Sequence, residues 1–351
     1  MKNRSNRKIS VLFQMDKLDS LNHATDSTLA IIKEGMRQKF EIWVGSPYDI
    51  SLKGTKANIT AHKLSDINFR IGFIGAGRLA QILAPALHDK GYLITSISSR
   101  SHSSAVALSE RIPGSCVSEI KDVDADLIFI TTSDSAISEV ASNVYWNSRQ
   151  YAVHCSGASS LEKLDYAKRM GASVGSWHPY QTFNKFTSLE GVTFGIQAEV
   201  SLTEILREMT LNLGGIPIEI PSDLRPLYHA SSVMSCGYLA TLIYSAALLW
   251  TSTGLSEEKG FNAILKIARS TLDAIEELGV PSAMTGPIIR GDKGTVNLHK
   301  DLIERHLPSL WPFYEQISLL SVMIAQENGI SDSNVDWSDI FRIGQEELQC
   351  D

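Results

Sequence analysis

The sequence predicts an α/β protein: a doubly wound parallel sheet, followed by an all-α C-terminal domain and preceded by a small α/β lobe. Three observations lead there. Residues 69–100, FRIGFIGAGRLAQILAPALHDKGYLITSISSR, read as strand, glycine turn, helix, strand. Apolar runs at Leu127–Ile130, Tyr151–His154 and Ser173–Trp177 follow, the first of them fully apolar as in a buried parallel sheet. From Leu227 the pattern is helical to the end. The expected division is a lobe at 1–66, a sheet domain at 67–221 and a helical domain at 222–351.

The lobe comes first. Ile9–Met15 and Phe40–Val44 read as strands, and Asp26-Ser27-Thr28 as a helix cap ahead of Leu29, Ile32 and Met36. Ile50–Leu52 and Ala57–Ala61, joined by Lys53-Gly54-Thr55, read as a hairpin. The stretch FQMDKLDSLNHATDSTLAIIKEG resembles the N-terminal lobe of bacterial glutathione synthetase. The parts that carry ATP and metal in that family have no counterpart here, so ligase activity is not carried over. A fusion remnant, a packing module and a binding appendage are the readings open for this lobe.

In the next stretch, Gly75-x-Gly77-x-x-Ala80 sits between an apolar strand and a helix. That is the context in which spaced glycines bind a dinucleotide. Gly75 permits a tight turn, Gly77 lets a pyrophosphate approach, and Ala80 brings the helix close to the strand. The helix start at Arg78 and Leu79 offers free N–H groups and a positive dipole end to the phosphates. The alternative is a tight turn without a ligand. At the end of the second strand, where an NAD site carries an acid, this chain has Ser98-Ser99-Arg100-Ser101. Ser99, Arg100 and Ser101 suit a 2′-phosphate through charge-assisted hydrogen bonds, so the expected cofactor is NADP.

A helix is expected near Ser103–Arg111. The strand Leu127–Ile130 ends in Thr131-Thr132-Ser133-Asp134, and ligands bind beyond such ends, so Thr132 and Ser133 are expected to face the cofactor. A capped helix start at Ser133 or Asp134 is compatible with this. Tyr151–His154 ends in Cys155-Ser156-Gly157-Ala158, and Ser173–Trp177 ends in His178-Pro179. Pro179 forces His178 into an extended backbone. Imidazoles at strand ends can donate or accept a proton as a hydride moves, the alternative for both His154 and His178 being a strand-end side chain bonded to backbone. Phe194–Gln197 and Ile216–Ile220 read as further strands around a helix near Leu202–Leu213. The helical domain should contain segments near 227–253, 256–278, 299–306 and 311–328. Its glycine-rich loop Ala283–Asp292 carries Arg290, either as a site residue or as half of a local Arg–Asp pair.

Bulk properties limit the function. The chain has 351 residues and a net charge of −7 from 32 basic and 39 acidic residues, which argues against a general nucleic-acid binder. Cys116, Cys155, Cys236 and Cys350 have no metal-type spacing, and a reduced cytoplasmic protein without a metal site is the simplest expectation. Ile9–Phe13 is too short for a signal peptide. Leu227–Leu255 lacks Asp, Glu, Lys and Arg and is long enough to span a bilayer, but its His, Ser, Thr and Tyr favour a buried helix or dimer interface over a membrane span.

Residues 67 to about 345 resemble a family of Rossmann-type NADP oxidoreductase-like proteins with a helical C-terminal domain of unknown function. These are relatives of pyrroline-5-carboxylate reductase and ketopantoate reductase. The resemblance is carried by Ile74–Arg78, His154–Ala158, His178–Phe183, Tyr228-His229-Ala230 and Thr285–Asp292. It implies a homodimer with the site between two domains and a small-molecule substrate. Where the family pattern leads one to expect Ser-Asn, this chain has Cys236-Gly237, which puts the standard activity in question. The leading expectation is an NADP(H)-dependent oxidoreductase that reduces a carbonyl or imine. His178 and then His229 are the candidates for proton donor or polariser. His154, Ser156, Thr182 and Arg290 are candidates for substrate contact, with Arg290 pairing a carboxylate. A non-catalytic NADP-binding or sensing protein is the alternative, and a glutathione-related role through residues 1–66 is the third.

Overall fold

The computed structural model describes residues 10–14, 41–45, 50–53, 56–59, 62–64, 69–184, 187–330 and 335–342. In the lobe, β1 (Ser10–Gln14) pairs parallel with β2 (Glu41–Gly45). β3 (Ile50–Lys53) and β4 (Lys56–Ile59) form the expected hairpin. β5 (His62–Leu64), not foreseen, pairs antiparallel with β2. The expected cap at Asp26-Ser27-Thr28 lies outside the described residues.

Eight strands then form one sheet. They are β6 (Arg70–Ile74), β7 (Leu93–Ser98), β8 (Cys116–Val117), β9 (Leu127–Ile130), β10 (Tyr151–His154), β11 (Ser173–Pro179), β12 (Thr193–Ala198) and β13 (Ile216–Glu219). Their order is β13-β12-β11-β10-β9-β6-β7-β8. Six of them, β8-β7-β6-β9-β10-β11, have the doubly wound order, and the switch point lies between β6 and β9. Pairing is parallel throughout except between β11 and β12. This matches the fold class read from the sequence.

Helices cover both faces. One core gathers Ile71, Phe73, Phe129, Val153, Trp177, Phe194 and Ile196 with residues of α1 (Ala80–Asp89), α2 (His102–Ser109) and, later in the chain, the helix Val200–Asn212. The opposite core gathers Ile74, Ile128, Ile130, Ala152 and Val174 with α3 (Ile137–Ser142) and α4 (Asp165–Arg169). The alternation between the two sets along each strand is the period of two that a sheet buried on both faces requires. Trp177 stacks between Phe129 (5.3 Å) and Phe194 (4.7 Å) and donates Nε1–H to Thr210 Oγ1 at 2.8 Å. Each ring pair contributes about 1 kcal/mol beyond simple burial.

The chain divides into two compact units, Met1–Ser232 and Val233–Asp351. After α5 (Val200–Asn212), α6 (Arg225–Val233) begins two residues before the expected Leu227. A π-helical segment, Met234–Tyr238, leads into α7 (Leu239–Thr251) and includes Cys236-Gly237. The run Arg225–Thr251 is long and apolar enough to cross a membrane, by length and composition. Its most apolar window is not buried within this chain, which corrects the expectation of a helix covered by its own domain. α8 (Glu257–Leu278), α9 (Val280–Ala283), α10 (Lys293–His306) and α11 (Trp311–Glu327) follow. In the second unit Val296, Ile303, Trp311, Trp337, Ile340 and Phe341 form a core. α10 starts six residues earlier than expected because Asp292 caps it, accepting Thr295 N–H at 3.0 Å.

Candidate active site

The switch-point crevice is shaped by its glycines. Gly75 has φ +111°, and a Cβ there would lie 2.7 Å from Thr131 O, so only glycine fits. Its N–H donates to Ser98 O at 2.7 Å, and its carbonyl accepts from Thr131 Oγ1 at 2.7 Å. A Cβ on exposed Gly77 would meet nothing within 4 Å, so space lies open in front of it. Gln81 N–H closes the first helical bond, onto Gly77 O at 3.0 Å. The N–H groups of Arg78, Leu79 and Ala80 come before it, as an anion site requires. These residues fit a pyrophosphate.

At the end of β7, Ser98 is buried, Ser99 is half-buried and Arg100 is exposed. Ser101 caps α2, accepting Ser104 N–H at 3.4 Å, and its hydroxyl also meets Ser103 and Ser104 hydroxyls. Ser101 thus already has partners, and Arg100 supplies the charge. Thr132 and Ser133 stand beyond β9, and Ser133 precedes the 3₁₀ turn Asp134–Ala136. The expected capped helix start is here a 3₁₀ turn that Ser133 precedes without a capping bond from its side chain.

A second cluster forms beyond β10 and β11. Gly157 is packed by both His178 and His229. A Cβ built on it would sit 2.7 Å from His178 Nε2 and closer still to His229 Nδ1. The two imidazoles meet edge to face with centroids 5.7 Å apart. His178 reaches this point from the end of β11, and His229 from the second turn of α6. Tyr228 Oη lies 2.9 Å from His178 Nδ1 and 3.4 Å from His178 O. The hydrogen bond between Tyr228 Oη and His178 Nδ1 fixes the orientation of the ring and turns Nε2 toward Gly157. Burial, then His229 and Arg225, push the His178 pKa down to about 3. The ring is therefore neutral near pH 7.

His154 is fully buried, and its Nδ1 accepts Ser156 N–H at 3.2 Å. Burial, then Arg225, push its pKa to about 3. It shapes the loop that carries Ser156 from behind. Ser156 Oγ accepts Ser159 N–H at 2.9 Å. Thr182 is in the exposed loop after β11, where its N–H donates to Gln181 Oε1 at 2.8 Å and its carbonyl accepts Thr187 Oγ1 at 3.0 Å. Arg290 belongs to the second unit and is exposed. Asp292, beside it in sequence, serves as the α10 cap. His154, Ser156, His178 and His229 thus come together, while Thr182 bonds within its own loop.

Two members of this cluster were not foreseen as site residues. Tyr228 orients His178, and burial pushes its own pKa up to about 12. Arg225, the first residue of α6, is 1% exposed. It donates Nη2–H to Ser156 O at 2.5 Å, while Nε and Nη1 have no partner. Burial lowers its pKa. A cation in the first turn opposes the helix dipole, and that was the available sequence signal.

The neutral histidines imply an acid-labile fold. Their folded pKa values lie below the ordinary 6.5, so an unfolded chain takes up protons that the folded one refuses. The stabilisation is fully present above about pH 6.5 and is lost as pH falls toward 3, by at most about 1.4 kcal/mol per pH unit for each histidine. Denaturant melts at pH 7, 5.5 and 4 should show this slope, and His154→Met should flatten it. An equal slope in His154→Met would remove this histidine from the account.

Three family descriptions match the chain: the N-terminal domain of prokaryotic glutathione synthetase at residues 9–72, a Rossmann-like domain at 55–179, and the domain of unknown function DUF2520 at 192–320. The second contributes His154 and His178, and the third Arg225, Tyr228 and His229. No curated protein matches. Among solved structures, BF3122 of Bacteroides fragilis, provisionally assigned as an NADP oxidoreductase, is 25% identical with a TM-score of 0.64, over 74% of this chain and 100% of its own. A Plasmodium falciparum pyrroline carboxylate reductase with NADP bound is 16% identical with a TM-score of 0.52, over 76% and 100%. An imine reductase of Myxococcus stipitatus in complex with NADP+ is 14% identical with a TM-score of 0.51, over 74% and 94%. The latter two likenesses are of fold. The chain thus carries a Rossmann-like domain followed by a DUF2520 domain, behind a segment similar to the glutathione synthetase N-terminal domain.

Proposed function

We propose that the protein is an NADPH-dependent reductase of a C=N or C=O bond in a small metabolite. The convergence of His178 and His229 on Gly157, beyond the carboxyl ends of the sheet strands, carries the reading. Residues 67–221 would hold the nucleotide. Arg78 and Leu79 offer N–H groups to the pyrophosphate, Ser99, Arg100 and Ser101 take the 2′-phosphate, and Thr132 and Ser133 border the nicotinamide end. Residues 222–351 would supply the substrate side, through Tyr228 and His229. The bound reduced nicotinamide supplies the hydride. His178, as a neutral imidazole, would polarise the substrate heteroatom, and water would deliver the proton that completes the reduction of a C=O or neutral C=N group. Tyr228 orients the ring through its contact at Nδ1, and His229 closes the other side.

Nucleotide titration tests the reading. NADPH should raise the melting temperature more than NADH at equal concentration, because a ligand of the folded state stabilises it as concentration exceeds Kd. Arg100→Ala should weaken NADPH by about tenfold, the loss of one charge-assisted contact, and leave NADH unchanged. Failure of both nucleotides to bind would end the reductase reading.

A further inference from the structure

Six buried side-chain polar atoms have no hydrogen-bond partner among the described residues, and five of them share one place: His154 Nε2, Ser176 Oγ, Gln197 Oε1, and Nε and Nη1 of Arg225. The sheet register accounts for the first three. Ser176 on β11 pairs with His154 on β10 and with Gln197 on β12, so the three side chains stand side by side on one face. Ile130 and Ile74 continue the same row across β9 and β6, and both are buried in the core of that face. An apolar row thus turns polar at β10, although His154 and Ser176 are 0% exposed. Arg225 comes in from α6 and donates to Ser156 O, two residues beyond His154, and its charge acts on both His154 and His178. Native interiors leave few such atoms unpaired, and five in one patch call for a shared partner.

The chemistry of the five atoms identifies that partner as water. His154 Nδ1 accepts the Ser156 N–H, so the neutral ring carries its hydrogen on Nε2 and donates there. The nearby Ser160 carbonyl acts on this ring's charge but completes no hydrogen bond with Nε2. Arg225 only donates, the Ser176 hydroxyl donates and accepts, and the Gln197 amide oxygen accepts. Neither a cation nor an anion suits all of them, while water, which both donates and accepts, does. Neighbouring side chains in such a row stand about 5 Å apart at Cβ, a separation that one water bridges. The row also has direction. His178 lies two residues beyond Ser176 on the same face of β11. Gln197, at the other end, is half-buried on β12, next to the edge strand β13.

We infer that this row is a water site that brings the proton for the reduction from bulk solvent to the place where His178 and His229 meet. Ser176, Gln197 and Arg225 are its positioning residues. The proton's destination rests on the reductase reading, while the water site does not. The hydride leaves the reduced nicotinamide with its electron pair and bonds to the carbon of C=N or C=O. The π pair moves to the heteroatom, and the innermost water gives that atom a proton. The hydroxide left behind is held beside the guanidinium, whose positive charge makes the water a stronger acid. It is reprotonated along the row from the Gln197 end, and the oxidised nicotinamide leaves. His154 orients the row through Nε2–H and passes no proton, because its Nδ1 is taken by backbone.

Two readouts on the full chain test this, one of them independent of turnover. A crystal structure should show ordered water bonded to Ser176 Oγ and to Gln197 or Arg225, and Ser176→Ala should lose the water at position 176. With NADPH, and 2-methyl-1-pyrroline and benzaldehyde as imine and carbonyl probes, Ser176→Ala should lower kcat about tenfold, one hydrogen bond's worth, at unchanged KM and unchanged NADPH affinity. Its solvent deuterium isotope effect on kcat should exceed that of wild type, because proton supply then limits the rate. A merely structural serine would lower the melting temperature and leave the isotope effect alone. Gln197→Leu, at the half-buried end of the row, should move the isotope effect in the same direction. Three results would overturn the inference: a dry row in the crystal, Ser176→Ala with wild-type kcat and isotope effect, or a Ser176→Ala loss confined to KM. A dry row beside normal turnover sinks the water site alone. Ordered water without NADPH binding, or without turnover of either probe, sinks the reductase and the proton role and leaves the water site standing.

Discussion

Gly157→Ala should separate His178 from His229 and reduce turnover by about two orders of magnitude, the effect of moving reacting groups by roughly 1 Å. Gly157 does not have a positive φ, so alanine suits its backbone. The nearest clashes are with the imidazoles: the new methyl would stand 2.7 Å from His178 Nε2 and nearer to His229 Nδ1. Both rings must swing away, and overpacking of this kind costs about 1–3 kcal/mol. The histidine ring-proton NMR signals of both residues should shift together in the variant, and its melting temperature should drop. A variant with wild-type turnover and unmoved histidine signals would show that the pair does not act jointly.

His178→Ala should lower kcat by about 10²- to 10⁴-fold, the usual contribution of a positioned proton-transfer or polarising group. Nucleotide affinity should hold, because the phosphate-binding residues lie at β6 and β7. The pH profile discriminates further. A His178 held near 3 cannot give an acid-side limb between pH 5 and 8. Tyr228→Phe removes the hydroxyl that orients the His178 ring, and should lower kcat by about tenfold, one hydrogen bond's worth, with little change in KM. A clear limb near pH 6.5 that disappears in His178→Ala would mean the imidazolium is the working form.

Local chemistry made much of this legible in advance. Gly75 and Gly77 announced their turn because the strand and helix on either side have short, regular periods. His178 was legible because Pro179 holds the backbone extended at the strand end and imidazole titrates near neutrality. Its protonation state was not legible. That state depends on burial and on Arg225 and His229, which are about 50 residues away in sequence. Arg225 and Tyr228 escaped as site residues for the same reason: the helix was expected to start at Leu227, so Arg225 read as part of a turn. The start of α10 was not legible because the glycine-rich loop Ala283–Asp292 runs straight into it, although Asp292 was a ready cap. Gly157 was quoted only as part of a motif, since its closeness to two imidazoles exists only in three dimensions.

The stack behind His178 has a consequence for how such a site could change over generations. Trp177 precedes the histidine on the opposite face of β11, fixed by Phe129, Phe194 and Thr210, so the strand can hardly shift without loss of the fold. Tyr228 and His229 come instead from the partly exposed surface of α6. One half of the cluster is inherited with the core, and the other can vary at modest cost. New substrate preferences should therefore be reached by exchanging helix residues around an unchanged strand histidine, and libraries aimed at altered specificity should spend their diversity on α6.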